Sequence, residues 1–318
     1  MKIPALIDIV EGKLLNSPAI SFITQIHTQL SKINDGDALF IINKNDIPKA
    51  IEKGAFALIY DFDTEIIDEE IAWIKVDDIY KSISNILRYR LVNKDIKLCY
   101  VDEVSYHMAS VLKSKDISKK LIFLQDNIIK DFELLINHSD DIEMVFSKDE
   151  TFLNSITPNI IKITKKQHTI KNLVAHSLFE TSFSYKHKYY EKLKLPQIYI
   201  NDFLQLSNFI DLDIKKVNNL NLFKPIFINK SNHIVQYGQT NRFILSNKIK
   251  EITKREIKYL KKYYSYANIV IEDVTTLGED DILDIIKERS FNALYLIGVD
   301  IQIVAKILEQ NHKIDKLF

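Results

Sequence analysis

The sequence predicts an α/β protein made of three successive α/β domains, the middle one reduced in size. Three observations carry that expectation. Short apolar runs such as DALFIIN, AFALIYDF and IAWIKV alternate with segments whose apolar residues fall at helical spacing. Breakers are scarce, with six glycines and six prolines in 318 residues, so each one marks a boundary. The last eighty residues repeat a strand–helix unit three times, the pattern of a small parallel sheet covered by helices.

The elements follow in order. Residues 37–43 (DALFIIN) form a strand. Residues 46–53 (DIPKAIEK) form a helix with Asp46 as N-cap, Pro48 in the first turn and Gly54 as a left-handed C-cap. AFALIYDF and IAWIKV are the next strands. In the helix over 77–91, Ile79, Ile83, Ile86, Leu87 and Leu91 share one face. A second block runs from the strand IKLCYV (96–101) into the helix VSYHMASVLKSK. It continues through KLIFLQ, a helix ending in DFELLINHS, EMVFS, a short helix after Lys148, and NIIKIT. Residues 165–224 are less regular, with a helix expected at 201–210. In the third block RFILSN, NIVIED and NALYLIGVD each precede an amphipathic helix. Pattern shifts place the domains at 1–93, 94–220 and 221–318.

Composition excludes several classes of function. Lys+Arg and Asp+Glu are both 43, and only five of the basic residues are arginine. A phosphate-backbone partner requires a concentrated positive field, so nucleic acid is not expected. The single cysteine, Cys99, permits no internal disulfide or multi-cysteine metal site, and in IKLCYV it reads as a small buried hydrophobe. No run approaches the roughly 18 apolar residues that span a bilayer. The start MKIPALIDIVEGK, broken by Pro4 and Asp8, is a poor signal peptide, so the expected location is the cytoplasm and no membrane insertion is expected.

One succession of short motifs is more specific. Gly36–Asp37, Leu39–Phe40, Gly54–Ala55, the strand ALIY, and Val76–Asp77–Asp78 occur in the order and at the spacing found at the start of Mur ligases. Over residues 20–91 the chain resembles those peptidoglycan stem-peptide ligases, most of all the D-Ala-D-Ala-adding (MurF-like) type. The resemblance implies an N-terminal domain that holds a UDP-linked sugar, a central ATP-binding domain and a C-terminal Rossmann-like domain. LYLIGVDIQIVAKILEQ is similar to the family's last strand and helix. It also makes Thr28, Ser31, Gly36 and Asp37 the candidate contacts for a UDP-sugar precursor.

The departures from the family pattern bear on function. Its D-S-R motif is replaced by Gln29, Leu30 and Ser31, which removes a forked guanidinium suited to phosphate. An ATP-using member has a glycine-rich loop with a lysine and a Ser/Thr between its first central strand and the next helix. Here IKLCYV is followed by DEVSYHMASVLK. No glycine occurs between 55 and 237, and Asp102 and Glu103 occupy the place of the loop, where their charges repel triphosphate. No counterpart is seen for the family's magnesium ligands or modified lysine. No cofactor, metal or catalytic residue is therefore expected.

Other candidate chemistry is weak. His107 stands near Asp102 and Glu103 and is a candidate for an acid–base or metal cluster with them, Glu103 and His107 being four apart on a helix and able to touch, but a surface ion pair at a helix start is the plainer reading. The remaining histidines lack metal-ligand spacing. Gly238 suits a turn with positive φ, and Thr240, Asn241 and Arg242 beside it are candidates for cradling an anion, against the plainer reading of a loop entering a strand. The lysine–tyrosine stretches 184–194 and 261–267 read as solvated helix faces or a protein contact.

The expectation is a pseudoenzyme with a Mur-ligase-like shell: a non-catalytic binding or scaffold protein with protein partners in cell-wall synthesis or an envelope-associated assembly. The alternatives are a regulator that binds a UDP-sugar or peptidoglycan precursor without turnover, and an enzyme of unrelated chemistry.

Overall fold

The computed structural model describes residues 1–112, 121–137, 142–163, 166–211 and 223–315. The chain divides into two compact units, Met1–Asp102 with Lys115–Ile163, and Glu103–Ser114 with Thr164–Phe318. These units cut across the three blocks expected from pattern shifts. The first block and the strands of the second share one unit, while the helix after IKLCYV belongs to the other.

Unit 1 opens with α1 (Ile3–Val10), followed by β1 (Lys13–Leu14), β2 (Ile26–His27), β3 (Ala38–Phe40), α2 (Ile47–Glu52), β4 (Ala57–Tyr60), β5 (Ala72–Lys75) and α3 (Ile79–Leu91). Its first sheet has the order β1-β5-β4-β3-β2, with β2 to β5 parallel and β1 an antiparallel edge. All four residues of β4 are buried, because helices or loops cover both faces. The helix start at residue 46 differs from expectation. Asp46 makes no side-chain cap and closes a 3-10 turn over Lys44–Asp46, which is capped by the side chain of Asn43. Gly54 does end α2 with φ +84°, and a Cβ there would lie 2.4 Å from Asp35 Oδ1. Asp78 caps α3 by accepting from the amides of Tyr80 and Lys81 at 2.8 and 3.0 Å.

The chain continues through β6 (Lys97–Tyr100), α4 (Glu103–Leu112), β7 (Leu121–Phe123), α5 (Ile128–Asn137), β8 (Met144–Ser147), α6 (Glu150–Ile156) and β9 (Ile161–Lys162). Apart from α4, these elements complete unit 1. Its second sheet is parallel throughout, in the order β7-β8-β6-β9. α3 packs on α1, α5 and α6. One apolar core runs from Leu6 and Phe40 through Ile83 and Leu87 to Phe132, Val145 and Leu153, so the two sheets share a helical layer. Cys99 is buried in β6, and burial pushes its thiol up to about 12.

Unit 2 contains α4 and then β10 (Lys171–Ala175), β11 (Thr181–Tyr185), β12 (Lys188–Leu193), α7 (Ile200–Phe209), β13 (Ile226–Phe227), β14 (Phe243–Asn247), α8 (Lys250–Tyr263), β15 (Ile269–Asp273), α9 (Glu279–Glu288), β16 (Ala293–Ile297) and α10 (Ile301–Asp315). The stretch 184–194, expected to be a helix face, is instead the turn and second strand of an antiparallel hairpin. Lys186 and His187 take φ +47° and +62°, the left-handed pair that a two-residue hairpin turn needs. Tyr190 and Leu193 point into the core beside Phe183.

The last sheet has the order β13-β14-β16-β15, with β14, β16 and β15 parallel. Ile244, Leu294 and Leu296 on one face pack with Ile286 of α9 and with Val304, Ile307 and Leu308 of α10. Tyr295, alternating to the other face, meets α8.

Candidate functional site

Each unit buries one glutamate in a polar cluster. In unit 1, Glu133 of α5 reaches the end of β2. His27 Nδ1 lies 3.1 Å from Glu133 Oε2, and the amides of Thr28 and Gln29 donate to Oε1 at 2.7 and 3.2 Å. Thr28 Oγ1 donates to the Ile129 carbonyl at 2.7 Å. On the other side of the ring, His27 Nε2 is 3.5 Å from Asp37 Oδ2. Asp37 also accepts from the amides of Gln25 and Asn34 at 2.9 and 3.0 Å. The bond to Glu133 raises the pKa of His27, while burial opposes that rise. For Glu133, burial acts upward, but the bonds from His27 and the Thr28 amide outweigh it and hold the group low.

This cluster contains two of the sequence-predicted candidates, Thr28 and Asp37, both buried and committed to partners. Ser31 is exposed on a 3-10 turn, Leu30–Lys32. Gly36 is buried at φ +91°, donates its amide to the Gly54 carbonyl at 2.9 Å, and a Cβ there would crowd Thr24 Oγ1 at 2.9 Å. In unit 2, Gly238 has φ +73° as expected of a turn. Thr240 Oγ1 lies 3.0 Å from the carbonyl oxygens of both Ile228 and Arg242, either of which can accept its one proton. Arg242 donates to Asn229 O, Asn232 Oδ1 and Ile286 O and stacks on Phe291. Asn241 is exposed, and its carbonyl accepts from the Tyr264 hydroxyl. These three residues tie a loop to the sheet.

The second buried glutamate, Glu256 of α8, was not singled out from the sequence. Tyr199 Oη donates to Oε1 at 2.7 Å and Tyr295 Oη to Oε2 at 2.5 Å. Burial pushes this carboxyl up to about 8, with the tyrosines and then Arg255 pulling part of the way back. Arg255 itself is bound to Asp202 and the Ile198 carbonyl.

Glu256 borders a crevice of about 470 Å³ in unit 2. Its floor is the C-terminal ends of β14 and β16, where Leu245, Ser246 and Asn247 meet Asp300, Ile301 and Gln302. The chain leaves β14 toward α8 on one face of the sheet and leaves β16 toward α10 on the other. Crevices that open where neighbouring parallel strands part in this way are the usual ligand sites of such sheets. His107 of α4 forms one wall, with Lys248 at the rim. Burial lowers the pKa of His107; Asp300 and Glu103 act against that, and Lys248 with it. His107 is therefore part of the wall of this crevice. In unit 1 a wider depression of about 670 Å³ lies between Lys44–Pro48 and Asp63–Ile67. There Asp63 pairs with Lys75, and Lys44 donates to the Asp63 carbonyl at 2.9 Å.

No protein-family model matches the sequence, and no curated protein does. Solved structures do. The UDP-N-acetylmuramoylalanyl-D-glutamyl-2,6-diaminopimelate–D-alanyl-D-alanyl ligase of Acinetobacter baumannii superposes with a TM-score of 0.56 at 9% identity, over 97% of this chain and 98% of that one. A second structure of MurF from the same organism gives 0.57 at 9% identity over the same shares. The MurF ligase of Thermotoga maritima in complex with ADP gives 0.55 at 10% identity, over 90% and 96%. The fold is that of a Mur ligase.

At 9–10% identity the likeness is one of fold. Within the Mur-ligase-like fold, β6 passes into α4 through Val101 and Asp102 alone. The crevice of unit 2 was missed in the sequence because its walls come from four separate stretches. One signal was available: Glu256 stands on the buried stripe of α8, four residues after Ile252 and three and four before Tyr259 and Leu260. A lone acid in that register marks a buried carboxyl that needs donors.

Proposed function

We propose that this chain is a non-catalytic, Mur-ligase-like binding or scaffold protein that acts through protein contacts in cell-wall synthesis or an envelope-associated assembly. The observation that carries the reading is the connection between β6 and α4. Where the family resemblance implies a phosphate-binding loop, two residues join strand to helix, no glycine is present, and Asp102 and Glu103 bring negative charge. Backbone amides close around phosphates only where glycine lets the chain curl, and a triphosphate beside two carboxylates is repelled. No helix among the described residues is long and apolar enough to cross a membrane.

A second reading, a regulator that holds a small precursor without converting it, is favoured by the crevice of unit 2. It gains nothing from Thr28 and Asp37, whose polar groups are occupied inside unit 1.

The test is melting of the purified protein with Mg-ATP and, separately, with UDP-N-acetylmuramoyl peptide, alongside an assay for ADP release. A ligand present at a hundred times its dissociation constant adds about 2.7 kcal/mol and shifts the melting temperature clearly. No shift and no ADP are expected with Mg-ATP. ADP formation that depends on the chain overturns the proposal. A shift with the precursor alone moves the assignment to the regulator.

A further inference from the structure

The last sheet of unit 2 separates two surfaces of opposite charge. α8 covers one of its faces, and α9 with α10 covers the other. Along α8 the exposed charged residues are Lys250, Lys254, Lys258, Lys261 and Lys262, against one acid, Glu251. Along α9 the balance is reversed: Glu279, Asp280, Asp281, Asp284 and Glu288 are exposed, against Lys287 alone. In a chain whose basic and acidic residues number 43 each, neither surface follows from composition.

The two surfaces also match in spacing. Lys254, Lys258 and Lys262 stand four residues apart, as do Asp280, Asp284 and Glu288, so each helix presents a charge about every 6 Å along its axis. Part of the acidic surface is engaged locally: Asp281 accepts the Gly278 amide at 3.0 Å, and Lys306 of α10 stands 3.8 Å from Glu279. The six residues of the two stripes form no ion pair among the described residues. Lying on opposite sides of one sheet, the stripes cannot neutralise each other within a chain. Set antiparallel between two chains, they bring Lys262 to Asp280, Lys258 to Asp284 and Lys254 to Glu288. The same register places the positive end of each helix beside the negative end of the other, and the exposed Tyr266 toward the exposed Leu277.

We propose that unit 2 joins a second copy of the same chain head to tail, the lysine face of α8 in one copy seated on the acidic face of α9 in the next. Such a contact uses two different patches, so each added copy leaves one of each free and the assembly grows as an open row or closes as a ring. Exposed ion pairs are individually weak and screened by salt, so the contact is reversible and strongest at low ionic strength. This goes beyond the non-catalytic reading and does not depend on it.

The experiment is sedimentation velocity of the full chain over a concentration series, at low salt and at high salt. Mass that grows with concentration is expected at low salt, with association weakened about tenfold or more at high salt. Reversing the α8 stripe (Lys254→Glu, Lys258→Glu, Lys262→Glu) or the α9 stripe (Asp280→Lys, Asp284→Lys, Glu288→Lys) is expected to leave monomers. An equimolar mixture of the two variants is expected to associate again, because each supplies the face the other lacks. A control with the same change in charge, Lys13→Glu, Lys49→Glu and Lys53→Glu on the exposed surface of unit 1, is expected to associate as the wild type does. Melting of each variant separates a lost contact from a lost fold. A chain that stays monomeric at low salt, association indifferent to either stripe, or a folded mixture that stays monomeric overturns the head-to-tail contact. ADP release bears only on the non-catalytic reading, so the two can fail separately.

Discussion

Glu133 and Glu256 are both helical glutamates, exposed by only 5% and 2%, yet the two units hold them in opposite charge states. Glu133 faces an imidazole and two backbone amides and is held low. Glu256 faces two phenols, which satisfy its oxygens without bringing charge, and burial wins. Depth alone does not fix the state of a buried acid; the formal charge of its partner does. Unit 1 uses its glutamate to staple α5 to the end of β2. Unit 2 places its glutamate beside a crevice, its oxygens taken up by two phenols.

The sharpest way to break this comparison is to remove His27. His27→Ala leaves Glu133 buried without its cation and is expected to cost about 3–5 kcal/mol in urea unfolding. A loss near zero would mean that backbone donors alone hold Glu133 and that the two sites differ less than their partners suggest.

The pH dependence separates the units next. The pKa of Glu256 is raised when folded, so its contribution is complete below the ordinary glutamate value near 4.5 and is lost as pH rises toward about 8. Stability should fall across that window by up to about 1.4 kcal/mol per pH unit, and Glu256→Gln should flatten the fall. The pair in unit 1 gives opposite flanks. Glu133, lowered, loses its contribution as pH drops through its folded value; His27, raised, loses its own as pH climbs through the raised value. Melting curves of wild type, Glu256→Gln and His27→Ala against pH resolve the two.

A smaller effect is expected from Tyr295→Phe, which removes one donor from Glu256. It should cost about 1.5 kcal/mol above the pKa of the carboxyl, less below it, and move the inflection upward. Smallest is Asp78→Ala, which removes an exposed carboxylate that caps α3 and should cost about 1 kcal/mol in urea unfolding. It is the reference for what an acid does without burial.

Much of the fold was legible in the chain. The apolar strands of both units, the core face of α3 and the left-handed Gly54 follow from local spacing and local chemistry. The hairpin of β11 and β12 was hidden because its turn places Lys186 and His187 in a conformation usually marked by Asn or Gly. The cap at residue 46 was misread because a 3-10 turn moved the capping role back to Asn43. The candidate sites were less legible for a different reason. His27 and Glu133 lie 106 residues apart, and no local pattern joins them. Glu256 and the tyrosines that bind it are likewise far apart in the chain, by 57 residues for Tyr199 and 39 for Tyr295.

Cys99 gives unit 1 its own clock. A lone thiol sealed in β6 and pushed up to about 12 reacts with an electrophile only after the parallel sheet around it has opened. The rate at which the native protein consumes a thiol reagent therefore times the opening of one unit without any label being introduced.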